Sequence, residues 1–135
     1  MLSAKRLRHH FQQSGGSGQY TRPFDELPGE AQGLILARVD LAQAEEPALA
    51  CYFDEARWVL LTNRRLCWSY GNGSKDAPLT EVRSVEIDLS HSPAKSKLEL
   101  DTVNIEMKCG TRHQIQLENG RPYFGFLNAL RIASA

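Results

Sequence analysis

Between residues 33 and 117 the apolar residues recur at a spacing of two, and between 122 and 130 they recur at three and four. That switch constrains the fold more than any other feature: short half-buried strands come first, and one amphipathic helix closes the chain. Ile35, Ala37, Val39 and Leu41 alternate with Leu36, Arg38 and Asp40, which predicts a first strand over Gly33 to Leu41. Ala42 to Pro47 reads as an exposed loop, Ala48 to Phe53 as a second strand, and Asp54-Glu55-Ala56 as a tight connection. Arg57 to Thr62 is the next strand. Asn63-Arg64-Arg65 forms a hairpin tip, because Leu66, Trp68 and Tyr70 alternate directly after it.

Gly71 to Asp76 reads as a loop. Val85, Ile87 and Leu89 share one face of a strand over Val82 to Leu89, and a polar loop follows from Ser90 to Ser96. Leu98 and Leu100 differ in parity from Val103, Ile105 and Met107. A one-residue slip exchanges the faces of a strand, so a bulge or turn is expected near Asp101-Thr102. His113, Ile115 and Leu117 make the last strand. Pro122 then suits the first turn of a helix whose apolar stripe is Tyr123, Phe126, Leu127 and Leu130. The fold class is mainly β, about seven antiparallel strands with a capping C-terminal helix. Trp58 and Trp68, flanking the hairpin, are both expected in the core.

Ahead of this region the pattern differs. Met1 to Gln13 predicts a short helix with Ala4, Leu7 and Phe11 on one face and Lys5, Arg6, Arg8, His9 and His10 around the rest. Ser14 to Gly18 holds three glycines in five residues and reads as a flexible linker. Thr21 to Gln32 holds a turn of helix around Phe24 to Leu27, stopped by Pro28-Gly29. The expected division is a basic helix with its linker over 1–32 and a domain over 33–135.

Sixteen Lys and Arg against sixteen Asp and Glu leave no net charge. That balance speaks against nucleic-acid binding, which needs surplus cations to displace counterions. No apolar stretch approaches the roughly 20 residues of a membrane helix, and the first fourteen residues lack the apolar centre of a secretory signal. Three cysteines without a CxxC spacing point to reduced thiols and a cytoplasmic setting. The distribution of charge says more than its sum. Positions 22–55 carry eight acids against Arg22 and Arg38, whereas positions 57–75 carry Arg57, Arg64, Arg65 and Lys75 and no acid. Such a surface can steer a charged partner, or its two halves can neutralise each other within the fold. The candidate partner-binding residues are Arg57, Arg64 and Arg65 around the hairpin, Lys5, Arg6 and Arg8 on the first helix, and the acids Glu45 and Glu46. An arginine suits such a role because its planar fork makes two parallel hydrogen bonds to a carboxylate or phosphate.

Signs of reactive chemistry are few. No GxSxG, HExxH or Walker pattern occurs. His9, His10, His91 and His113 have no metal-ligand spacing, and Cys51, Cys67 and Cys109 sit on strands or at a strand end, where a buried inert thiol is the default. A pairing of His91 with Glu86 is the one acid–base arrangement worth naming. No cofactor, metal or catalytic residue is implied.

The run from Trp58 to Trp68 (WVLLTNRRLCW), the run from Pro78 to Val85 (PLTEVRSV) and the closing run from Tyr123 to Leu130 (YFGFLNAL) resemble the bacterial pleckstrin-homology-like (PH-like, GRAM-like) family. The resemblance covers Gly33 to Ala133. It implies two nearly orthogonal antiparallel sheets, seven strands in all, with the final helix over one open end. Members of that family are mostly non-catalytic platforms that bind phosphoinositides, other lipids, peptides or proteins. The lipid-binding ones carry cations in the loop joining the first two strands. The corresponding loop here, Asp40 to Pro47, holds Asp40, Glu45 and Glu46 and no cation, so the resemblance does not bring phosphoinositide binding with it. The expected function is a non-enzymatic protein- or peptide-interaction module: an adaptor, a regulatory subunit or an immunity-type inhibitor, with a homodimer as a further option. The alternatives are weak binding to anionic lipid headgroups through Lys5, Arg6, Arg8, Arg57, Arg64 and Arg65, and a small hydrolase.

Overall fold

The computed structural model describes residues 2–71, 73–88 and 99–135. Helix α1 (Ala4–Gln13) starts at Ser3, whose side chain accepts the Arg6 N–H at 3.3 Å, and it buries Ala4, Leu7 and Phe11. A short strand β1 (Thr21–Pro23), a 3-10 turn (Phe24–Glu26) and helix α2 (Gly29–Leu36) follow. Five strands come next in sequence: β2 (Pro47–Asp54), β3 (Arg57–Thr62), β4 (Arg65–Tyr70), β5 (Ser74–Pro78) and β6 (Val82–Ile87). Two more, β7 (Thr102–Met107) and β8 (Arg112–Gln116), precede helix α3 (Arg121–Ser134). The strands form two antiparallel sheets, β1-β2-β3-β4-β5 and β6-β7-β8.

The larger sheet is buried on both faces, which explains why β3 and β4 are almost wholly buried instead of alternating. Leu49, Cys51, Val59, Leu61, Leu66 and Trp68 face the main core, shared with the smaller sheet, α1 and α3. Ala50, Trp58, Leu60 and Cys67 face the other way, under Phe24, Leu27, Ala31, Ile35 and Val39. The two tryptophans are thus both core residues, in different layers.

One expectation fails here. The strand predicted over Gly33 to Leu41 is instead α2 and the turn after it. Ala31, Ile35 and Val39 are the buried residues, and their spacing of four is helical. The alternation of Ile35, Ala37, Val39 and Leu41 carried the opposite signal in the same letters, and packing onto Trp58 selected the helix. The 3-10 turn over Phe24–Glu26 does end at Leu27, directly before Pro28-Gly29, but Pro28 then caps the start of α2. The division at 32/33 falls inside α2.

The glycine run is no loose tether. Gly16 takes φ +84° and its N–H donates to the Phe11 carbonyl at 3.0 Å, closing α1. A Cβ on Gly15 would lie 2.0 Å from the Arg121 carbonyl oxygen, and one on Gly125 of α3 would lie 2.8 Å from that of Phe11. Backbone against backbone, α1 and α3 approach as closely as glycine permits. The Asn128 Nδ2 donates to Ser14 Oγ at 2.7 Å across the same contact. A second tie, unforeseen in the sequence, is Glu118, whose carboxylate accepts the N–H groups of Gln19, Tyr20 and Thr21 at 2.8–2.9 Å.

Strand β5 takes residues expected as loop. Only Ala77 on it is buried, so it has no apolar alternation to announce it; main-chain bonds to β4 alone define it. Leu100 and Val103 both reach the core despite opposite parity, because β7 begins only at Thr102. The loop expected over Ser90 to Ser96 lies outside the described residues. Helix α3 buries the expected stripe of Tyr123, Phe126, Leu127 and Leu130. No helix is long and apolar enough to cross a membrane among the described residues.

Candidate functional site

Two of the candidate residues are turned toward each other. Arg65, first in β4, sends Nε and Nη2 to the Glu45 carboxylate at 2.9 and 3.2 Å, Nη1 to Asp76 at 3.1 Å and Nη2 to the Asp40 carbonyl at 2.6 Å. The Glu45 side chain is only 1% exposed, and it also accepts the Thr62 hydroxyl at 2.7 Å and the Ala42 N–H at 2.9 Å. Burial pushes the Glu45 carboxyl up, but the Arg65, Ala42 and Thr62 hydrogen bonds and the Arg65 charge outweigh it, so its pKa lies below the ordinary value. The acidic loop and the basic hairpin neutralise each other at this point, and the network fastens residues 40–45 to the β3–β4 hairpin. Glu46 adds a main-chain tie, its N–H donating to Asn63 Oδ1 at 2.8 Å, while its side chain is exposed.

The remaining candidates are dispersed. Arg57 stands at the start of β3, 3.7 Å from Asp54 and 5.0 Å above the Phe53 ring, while Arg64 follows the other end of that strand. A six-residue strand separates them by about 20 Å. Arg64 is exposed and joins the fold through its main chain, its carbonyl accepting the Leu79 N–H at 2.9 Å. Lys5 and Arg6 are exposed on α1, and Arg8 is half-buried.

The structure instead builds a groove between the two sheets. Trp68 and Tyr70 from β4, Gly73 just before β5 and Lys75 on it line one wall, and Arg112, His113 and Gln114 from β8 line the other, around a volume of about 320 Å³. Arg112, His113 and Gln114 also border a hollow of about 450 Å³ against β6 and β7. The rings of Trp68 and His113 meet edge-on with centroids 5.0 Å apart. The Tyr70 hydroxyl donates to the Gln116 carbonyl at 3.1 Å and accepts the Gln116 N–H, pinning the sheets together at one end of the groove. Burial pushes that phenol up to about 12. The inter-sheet part is lined by aromatic groups and by Lys75 and Arg112, and no carboxylate lines it. Arg112 pairs with Glu106 at 3.2 Å.

The sequence marks Trp68 as core and counts Lys75 in the acid-free run, but it does not join them to Arg112, His113 and Gln114, since 68–75 and 112–114 meet only because β4 and β8 belong to facing sheets. The Trp68–His113 contact had one faint trace, the shared parity of His113 with Ile115 and Leu117.

The thiols divide into two kinds. Burial pushes Cys51 up to about 11 and Cys67 up to about 12. Cys109 is exposed in the β7–β8 turn, and its hydrogen bond with Thr111, at 3.3 Å, draws its pKa down. One thiol per native chain should therefore react with a disulfide reagent at neutral pH, and three after denaturation; a Cys109→Ser chain should show none until unfolded. Fast reaction of a second native thiol would contradict the burial of Cys51 and Cys67. His91 lies outside the described residues, so its pairing with Glu86 does too; among the described residues no three His, Cys, Asp or Glu side chains cluster as metal ligands.

Comparison with protein-family models, with curated proteins and with solved structures finds no match for this chain.

Proposed function

We propose that this chain is a non-enzymatic, cytoplasmic interaction module of PH-like architecture that holds an extended, acidic peptide segment of a partner protein between its sheets. The architecture is supported by strand order: β2 to β5 form a meander, β6 to β8 form a second, and α3 follows. With β2 as the first strand of that scheme, the loop that carries cations in lipid-binding members becomes Asp54 to Ala56. It holds Asp54 and Glu55, so the charge argument against phosphoinositides carries over to it.

The observation that carries the binding reading is the inter-sheet groove, where Trp68, Tyr70 and His113 lie beside Lys75 and Arg112 with no acid among the lining side chains. Flat rings take up apolar or aromatic side chains at low entropic cost, and the cations select carboxylates and speed encounter. A screen of the full chain against a peptide library tests this. The expected binders pair an apolar or aromatic residue with nearby Asp or Glu, and Lys75→Glu with Arg112→Glu should weaken them at least about tenfold, whereas Lys5→Glu should not. A library that returns no binder, or acidic binders indifferent to the double variant, would overturn the reading.

A further inference from the structure

A second cleft, of about 680 Å³, opens beside the β3–β4 turn. Arg64 from that turn, Arg83 from β6 and Lys108 from the turn after β7 line it, above Leu79 and Val82 and beside Thr80. No acidic side chain lines it. Arg83 makes a long contact with Glu106 at 3.8 Å and is 67% exposed, and among the described residues no carboxylate lies within ion-pair distance of Arg64 or Lys108. Main-chain bonds bring the three segments together: Leu79 N–H to the Arg64 carbonyl at 2.9 Å and Lys108 N–H to the Glu81 carbonyl at 2.8 Å. The backbone therefore gathers the three cations, with Glu106 on Arg83 alone and no internal counter-charge on Arg64 or Lys108 of the kind that Arg65 has.

The last turn of α3 borders the cleft and offers a simpler account, since cations complement a helix C-terminus. Its magnitude is too small. A helix end supplies about half a negative charge. Three cations exceed that.

We propose that this cleft binds a phosphomonoester group, with the forks of Arg64 and Arg83 on its oxygens and Lys108 as a point charge. The site is separate from the inter-sheet groove and does not depend on the reading given to it. A phosphomonoester can arrive as a free phosphate or as a lipid headgroup, so the test has two arms. In the first, the full chain is titrated at low ionic strength with inorganic phosphate and followed by calorimetry and amide chemical shifts. In the second, it is sedimented with phosphatidylcholine vesicles with and without phosphatidic acid.

The expected result is saturable phosphate binding, with shifts centred on residues 64, 83 and 108. Arg64→Ala should weaken it about tenfold, and Arg64→Ala, Arg83→Ala and Lys108→Ala together should abolish it. Arg64 meets the fold only through its main chain, so its single variant stays folded and suffices if the triple does not. Sedimentation that needs phosphatidic acid and the same three residues assigns the group to a lipid. Phosphate binding without sedimentation assigns it to a soluble ligand. Absence of both, or binding that Arg64→Ala leaves unchanged, overturns the proposal.

Discussion

Replacing Phe11 with alanine is expected to destabilise the whole protein by about 3–5 kcal/mol, the cost of truncating a fully buried aromatic side chain. For a chain of this length that is a fall in Tm on the order of 10–20 °C. The expectation follows from where α1 lies. Phe11 and Leu7 have no exposed surface and belong to the same core as Tyr123, Phe126 and Ile105. A basic arm on a flexible glycine linker would respond differently: Phe11→Ala would leave the melting of the rest unchanged. Gly125→Val tests the same contact from the other helix. Its Cβ would sit 2.8 Å from the Phe11 carbonyl oxygen and 2.9 Å from the Phe11 ring, and such overpacking costs about 1–3 kcal/mol or more. The clash with a main-chain atom remains when the ring is removed, so Phe11→Ala should relieve Gly125→Val only in part. Lys5→Ala, on the exposed face of α1, should change stability by no more than about 0.5 kcal/mol.

Adjacent arginines in the hairpin should behave in opposite ways. Arg65→Ala is expected to cost about 3 kcal/mol, the lower part of the range for breaking a buried pair, because the Arg65 side chain keeps 23% of its surface in water. It strips two donors from a Glu45 carboxylate that is itself buried and releases the Asp40 carbonyl. Arg65→Lys keeps the charge but not the fork and should fall between the two. Arg64→Ala, exposed and bonded through its main chain, should be nearly silent in thermal melts. The same network sets a pH dependence. The Glu45 pKa is lower in the folded chain than its ordinary 4.5, so its contribution is complete above that value and is lost as the pH falls through the folded pKa. The Tm of the wild type should drop more steeply below about pH 4.5 than that of Glu45→Gln. Parallel curves would mean that Glu45 gains nothing from Arg65.

The elements legible in advance are those where one local signal stood unopposed. The β3–β4 hairpin, β6 and α3 each carry a single apolar pattern with turn residues at the margins. Residues 33–41 carried two periods at once, and only the demand for a cover over Trp58, Leu60 and Cys67 chose the helical one. Strand β5 carried none, being an edge strand with a single buried side chain. Of the candidate binding residues, Glu45 and Arg65 satisfy each other, and Arg57 and Arg64 are divided by the length of β3. Arg112, Arg83 and Lys108, which line the two clefts with Lys75, had no local mark, because an exposed cation in a strand or turn looks the same wherever it points.

Periodicity in the chain thus decides which stretches bury a face and of what kind, since that depends on neighbours three or four positions away in a helix and two away in a strand. What each face meets is a matter between segments forty or a hundred residues apart: α2 over the outer sheet, glycine-tight contact of α1 with α3, Glu45 under Arg65, Trp68 against His113. Those partners are selected by shape and by the cost of leaving a charge or an apolar surface uncovered, and neither quantity exists until the chain has folded.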